Sequence, residues 1–138
     1  MSLSTAQRAI VQTTFAQVAD ADLLATRFYT RLFEIDPSTR PLFTHDMAEQ
    51  RQKLIQILVI VVNNLDDLSP LIPAIQNLGK RHVTYGVTTA HWNSVGSALL
   101  FALEEDFGEA FTNEVREAWG IAYRIIAKTA LDAAHVNV

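Results

Sequence analysis

From Ile10 to Ile126 the apolar residues of this chain recur at intervals of three and four, segment after segment, with no credible run of the alternation that a half-buried strand needs. Val11, Phe15 and Val18, flanked by Ile10 and Thr14, mark a first helix that a Ser4–Gln7 capping box opens and that should run to about Ala19. Leu24, Phe28, Leu32 and Phe33 mark a second, expected to stop near Asp36-Pro37 because a proline ring disfavours helical geometry in the residue before it. A Pro-bounded bend then carries Pro41, Leu42 and Phe43. Asp46 with Glu49 signals another N-terminus, followed by the stripe Gln50, Leu54, Ile57 and Val61. After a polar break, Leu71, Ile75, Leu78 and His82 repeat that spacing on a segment closed by Gly86. His91, Val95, Leu99 and Leu103 mark a long helix from about Thr89 to Gly108, and Thr112 opens the last, with Val115, Trp119, Ala122, Tyr123 and Ile126 on its inner side. The expectation is an all-α chain of about six or seven helices. Without repeat or linker, residues 1–138 should form one domain.

Composition narrows the chemistry. The eleven basic residues are scattered and the net charge is −4, so no basic stripe is available to nucleic acid. Cysteine is absent, which removes disulfides, thiolate catalysis, Cys-ligated zinc, iron–sulfur clusters and covalent haem attachment through CxxCH. His45, His82, His91 and His135 show no HxxxH or HExxH spacing for zinc, and no GxSxG marks a nucleophile. The start lacks a basic region followed by an apolar one, and the longest apolar stretch, Ile57 to Val62, is far short of a bilayer span. A cytoplasmic protein is the expectation.

Polar residues planted in apolar stripes carry the functional information, because a buried polar group without a partner costs roughly 1–3 kcal/mol. His82 ends an inward stripe, and a neutral imidazole there is either a ligand for haem iron or a core histidine donating to a backbone carbonyl. Lys80 and Arg81 beside it either face acidic groups at a pocket rim or form a solvated basic pair. Gln50, one turn before Leu54, either offers its amide over a pocket or sits half-exposed in a first helical turn. Tyr29 packs beside Phe28 and Leu32 with a hydroxyl that needs a partner, and Phe43 suits either a flat ligand or the core.

In order and separation, the strings Phe-Tyr-Thr-Arg-Leu-Phe at 28 to 33, Arg-Pro-Leu-Phe at 40 to 43, Lys-Arg-His-Val-Thr-Tyr-Gly-Val at 80 to 87 and Ala-Trp-Gly-Ile-Ala-Tyr at 118 to 123 resemble the globin family. The similarity is to single-domain bacterial haemoglobins and the haem domain of flavohaemoglobins, and runs from about Thr5 to Ala130. It implies helices packed around a non-covalent haem b, with His82 as the iron ligand and Phe43 stacked on the ring. Leu54, Lys53, Leu78, Arg81, Val87, Trp92 and Tyr123 complete the implied cofactor-binding set, and Tyr29, Gln50 and Leu54 the distal ligand-binding side. It also implies a short or poorly ordered segment around Thr44 to Met47. Lys53 would reach a propionate; as a neutral amine it could ligate iron, at the expense of deprotonation from near pH 10.4.

Oxygen held there gathers partial negative charge, which a Tyr29 hydroxyl or Gln50 amide would stabilise. The expected function is reversible binding of oxygen, nitric oxide or carbon monoxide. The alternative is a nitric oxide dioxygenase that forms nitrate with a separate reductase, since no flavin or nicotinamide domain follows the haem-binding region before Val138. Relatives with strong dioxygenase activity pair the proximal histidine with tyrosine and glutamate; here Trp92 and Ala134 stand at or near those positions. An indole donates but cannot accept, so that network is expected to be broken and peroxidase-like chemistry is not expected. A gas sensor would need an output domain, and a haem-free interaction module would be expected to lack His82. Monomer and homodimer both remain open.

Overall fold

The structure, a computed structural model, describes residues 3–43, 46–77 and 88–136, with side chains followed to residue 132. Among the described residues there is no strand, and five long α-helices carry the chain: α1 (Thr5–Ala16), α2 (Ala21–Ile35), α3 (Met47–Asn63), α4 (Thr89–Phe107) and α5 (Asn113–Val136). Short 3-10 turns at Pro37–Leu42, Ser69–Leu71 and Gly108–Ala110 and a helical stretch at 72–77 fill the connections.

Each boundary has a local cause. Ser4 and Gln7 exchange side-chain and backbone bonds at 3.0 Å and satisfy donors that the first turn of α1 leaves open. α1 ends at Ala16, earlier than the expected Ala19, because Gln17 and Val18 donate to Thr14 and Phe15 in tight i→i+3 bonds. Asp20 opens α2 through the Leu23 N–H, and α2 stops at Ile35 before Asp36-Pro37. The bend after it is a 3-10 turn ending at Phe43. Asp46 caps α3 through the Ala48 N–H; Glu49 faces Lys53 instead of closing a box. Gly108 ends α4 with φ of 57°, a left-handed value that a Cβ disfavours.

α2 packs most extensively on α4, α1 lies against α5, and α2 also carries α3 and the Pro37–Leu42 turn. The core runs through Leu24, Phe28, Tyr29 and Leu32 of α2, Ala98, Leu99, Ala102 and Leu103 of α4, and Val115, Ala118, Trp119 and Ala122 of α5. Two side-chain bonds fasten α1 across it: Trp119 Nε1 donates to Thr14 Oγ1 at 2.9 Å, and Gln12 Nε2 to the Val62 carbonyl at 3.1 Å. On α3 the expected inward stripe needs one correction. Ile57 is 41% exposed, and the partly or fully buried line is Leu54, Leu58, Val61 and Val62. At 3.6 residues per turn those residues share an arc of about 100°, and Ile57 lies about a quarter of the circumference off its centre. Among the described residues no helix is long and apolar enough to cross a membrane.

Two glycines in helices test the packing in opposite directions. A Cβ on Gly96 would lie 2.7 Å from Tyr123 Cε2, and Tyr123 cannot swing aside without losing its bond to the Trp92 carbonyl. Nothing lies within 4 Å of a Cβ on Gly120. Gly96→Ala is expected to lose about 1–3 kcal/mol of unfolding free energy in urea titrations. Gly120→Ala should gain up to about 1 kcal/mol in the same measurement.

Candidate functional site

The alternation of buried and exposed positions along α2 turns Phe28, Tyr29 and Leu32 inward together. Tyr29 is only 5% exposed, and its hydroxyl meets the first turn of α3, where Gln50 Nε2 donates to it at 3.3 Å. The Tyr29 ring stands edge-on to Phe28 and to Phe43, with centroids 4.8 and 5.3 Å apart. Phe33 closes the group at 5.6 Å from Phe43 and 6.1 Å from Tyr29. Such tilted arrangements set the positive edge of one ring against the negative face of another. Arg40 lies 5.0 Å over the Phe33 ring, so a cation covers the outer side of the cluster.

The electrostatics of Tyr29 follow from this setting. Burial raises its phenol above the ordinary value of 10.0, and the hydrogen bond from Gln50 offsets part of that rise. The phenol is therefore neutral at neutral pH. Its oxygen is already accepting from Gln50, so its own proton remains to be donated, and among the described residues nothing accepts it. The phenol thus keeps a buried donor in reserve beside the Gln50 amide.

Thus the structure brings Tyr29, Gln50 and Phe43 together, with Leu54 partly buried one turn further along α3. Lys53 is not drawn in: its side chain is 54% exposed and pairs with Glu49 at 3.7 Å. Trp92 and Tyr123 meet each other elsewhere, the Tyr123 hydroxyl donating to the Trp92 carbonyl at 2.6 Å and its phenol pushed above the ordinary range by burial. They adjoin a second apolar cluster with Ile75, Ala127 and Ala130, and line a groove of about 300 Å³ that Tyr29, Gln50 and Phe43 do not border. Leu78, Lys80, Arg81, His82 and Val87 lie outside the described residues, as do Thr44, His45 and the side chain of Ala134. Sequence reasoning passed over Phe33 as a neighbour of Tyr29, although the four-residue step between them places both within reach on one helix. It also took His91 as part of an apolar stripe, whereas the imidazole accepts from the Thr88 N–H at the start of α4.

Comparison with known proteins agrees with this architecture. The globin family model matches residues 26–130. A flavohemoprotein of Bordetella parapertussis is 33% identical over 129 residues, 91% of this chain and 32% of the relative, so the chain spans about a third of that protein's length. A neuroglobin of Danio rerio is 33% identical over 112 residues, covering 71% of this chain and 70% of the relative. Among solved structures, an engineered carbene transferase from Rhodothermus marinus superposes with a TM-score of 0.86 at 28% identity, covering 99% of this chain and 96% of the other. With its all-α globin architecture and a family match across most of its length, the chain belongs to the globin family, related to the haem domain of flavohaemoglobins.

Proposed function

We propose that the chain, as one globin domain over residues 1–138, holds a non-covalent haem b and reversibly binds oxygen, nitric oxide or carbon monoxide in the cytoplasm. The observation that carries this reading is the Tyr29–Gln50 pair, a buried phenol with its oxygen occupied and its proton left to give. The lining beside the pair supports it. A flat macrocycle needs aromatic and aliphatic walls, and Phe43 and Leu54 stand beside the pair. His82 would ligate the iron and Phe43 would stack on the ring. Leu54, Leu78, Val87, Trp92 and Tyr123 would line it. Arg81 and Lys53 would reach its propionates, a rim role that the exposure of Lys53 supports over ligation. When bound, the haem supplies an iron site that takes one diatomic gas.

The chain's own residues then set how long the gas stays. Gln50 holds the Tyr29 oxygen and so directs the phenol proton away from itself. Tyr29 donates that proton in a hydrogen bond to whatever carries negative charge on the distal side, in surroundings dry enough to strengthen it. One such bond is worth roughly 1–3 kcal/mol, or about five- to a hundred-fold in residence time. Oxidation of nitric oxide to nitrate is the second reading, supported by the similarity to flavohemoproteins across 91% of this chain. It would need electrons from a reductase.

Absorption spectra of the purified protein, ferric and reduced, with and without carbon monoxide, are expected to show haem b in the wild type and its loss in His82→Ala. A protein that stays colourless with added haem would end the reading, and sustained nitric oxide consumption with a reductase would replace it by the second. Tyr29→Phe is expected to speed oxygen dissociation at least about tenfold in stopped-flow measurements. An alkaline titration checks the phenol itself. Because the folded-state pKa of Tyr29 is raised, its contribution to stability is complete below about pH 10 and is lost as pH rises through the folded value. Gln50→Leu should push that ionisation still higher in ultraviolet difference spectra, with Tyr29→Phe identifying the band.

A further inference from the structure

Away from the Tyr29–Gln50 pair, a second polar chain runs through the molecule with every hydrogen bond pointing in a defined direction. At the start of α4, Thr88 Oγ1 accepts from the His91 N–H at 3.3 Å, and the Thr88 N–H donates to His91 Nδ1 at 3.0 Å. This is a capping box with histidine as the third-position acceptor. A ring nitrogen that accepts carries no proton, so the neutral imidazole keeps its proton on Nε2. Nε2 lies 3.1 Å from Ser38 Oγ, and Ser38 donates in turn to Asp36 Oδ1. The second carboxylate oxygen, Oδ2, accepts from Ser94 at 2.8 Å. This order excludes a nucleophilic serine, since the Ser38 proton is committed to Asp36 and the nitrogen beside Ser38 already holds a proton.

The chain of bonds joins three elements: the end of α2 at Asp36, the turn that leads to Phe43, and the first turn of α4. It depends on one protonation state. An imidazolium carries protons on both nitrogens, so Nδ1 would set an N–H against the Thr88 N–H and that half of the cap would fail. Among the described residues the charged group facing the ring is Asp36; the turn contributes Ser38, and α4 contributes Thr88 and Ser94. Arg40, the cation of the turn, lies over Phe33, and Arg31 of α2 lies over Phe101. The hydrogen bonds from Ser38 and Ser94 hold the Asp36 carboxyl below the usual carboxylate range, so it stays charged where an imidazole titrates. Its charge draws an imidazolium toward Ser38 and away from Thr88.

We infer that His91 is a pH-operated cap at the N-terminus of α4, its bond from the Thr88 N–H closed while the imidazole is neutral and open when it is protonated, with the contact from Nε2 to Ser38 of the turn kept in both states. The inference stands independently of gas binding. Backbone amide exchange on the full chain, corrected for intrinsic rates, tests it at about pH 7.5 and about pH 5.5. The Thr88 amide of the wild type should lose at least about tenfold in protection at the acid value. His91→Gln keeps an acceptor that does not titrate, and its Thr88 protection should be the same at both. Unchanged protection in the wild type, or an equal loss in His91→Gln, overturns the proposal. So does a nitrogen-15 spectrum of the wild type showing the proton on Nδ1 at neutral pH, a readout that needs no variant.

Discussion

The packing of α2 across α4 is the contact on which the rest of the molecule depends. Ala98 and Ala102, small residues of α4, are buried in the core that α4 shares with α2. The face that α2 commits to this contact includes Phe28 and Leu32, and Tyr29 is carried inward by the same rotation. The phenol is thereby placed by core residues that have no chemistry of their own. α3 is then set by α2, and with it Gln50, so the spacing of the polar pair is a property of two helix contacts rather than of a loop. Groups held on packed helices keep their geometry better than groups on mobile connections.

That placement also explains why the pair is chemically useful. A tyrosine at a surface shares its proton with water; one held at 5% exposure has no such partner. The partial satisfaction by Gln50, one acceptor lone pair used and the donor left over, keeps the group tolerable in the core while reserving a directed donor. Arg40 and Phe33 close the outer side, where a cation above a ring shields the aromatic cluster without adding a competing acceptor.

Much of this could be read from residue order, and what could not has identifiable causes. Ser4 with Gln7, Asp36 before Pro37, and Gly108 after a long apolar stripe each supply a backbone bond or forbid a conformation, so they mark boundaries in any tertiary setting. Tyr29 and Gln50 were recognisable because polar side chains interrupt apolar stripes. The face of α3 was harder: from Ile57 to Val62 every residue is apolar, so periodicity alone does not separate Ile57, which faces out, from Leu58, which packs inward. The end of α1 depended on whether the last turn tightens, which adjoining residues do not announce. His91 was hidden for another reason, that histidine is a rarer third-position capping acceptor than Glu or Gln.

The two bonds that fasten α1 have a meaning for the order in which the molecule is made. Trp119 reaches back 105 residues to Thr14, and Gln12 reaches forward 50 to Val62. Among the described helices α1 is made before the others, yet the helix it packs on most extensively, α5, is made after them. Until α5 emerges, the apolar side of α1 at Val11 and Phe15 lacks that partner, and α3 is the other described helix it packs on most. α1 therefore waits, while the intervening helices are made, for the surface that buries most of it, and this part of the core closes through a long-range contact.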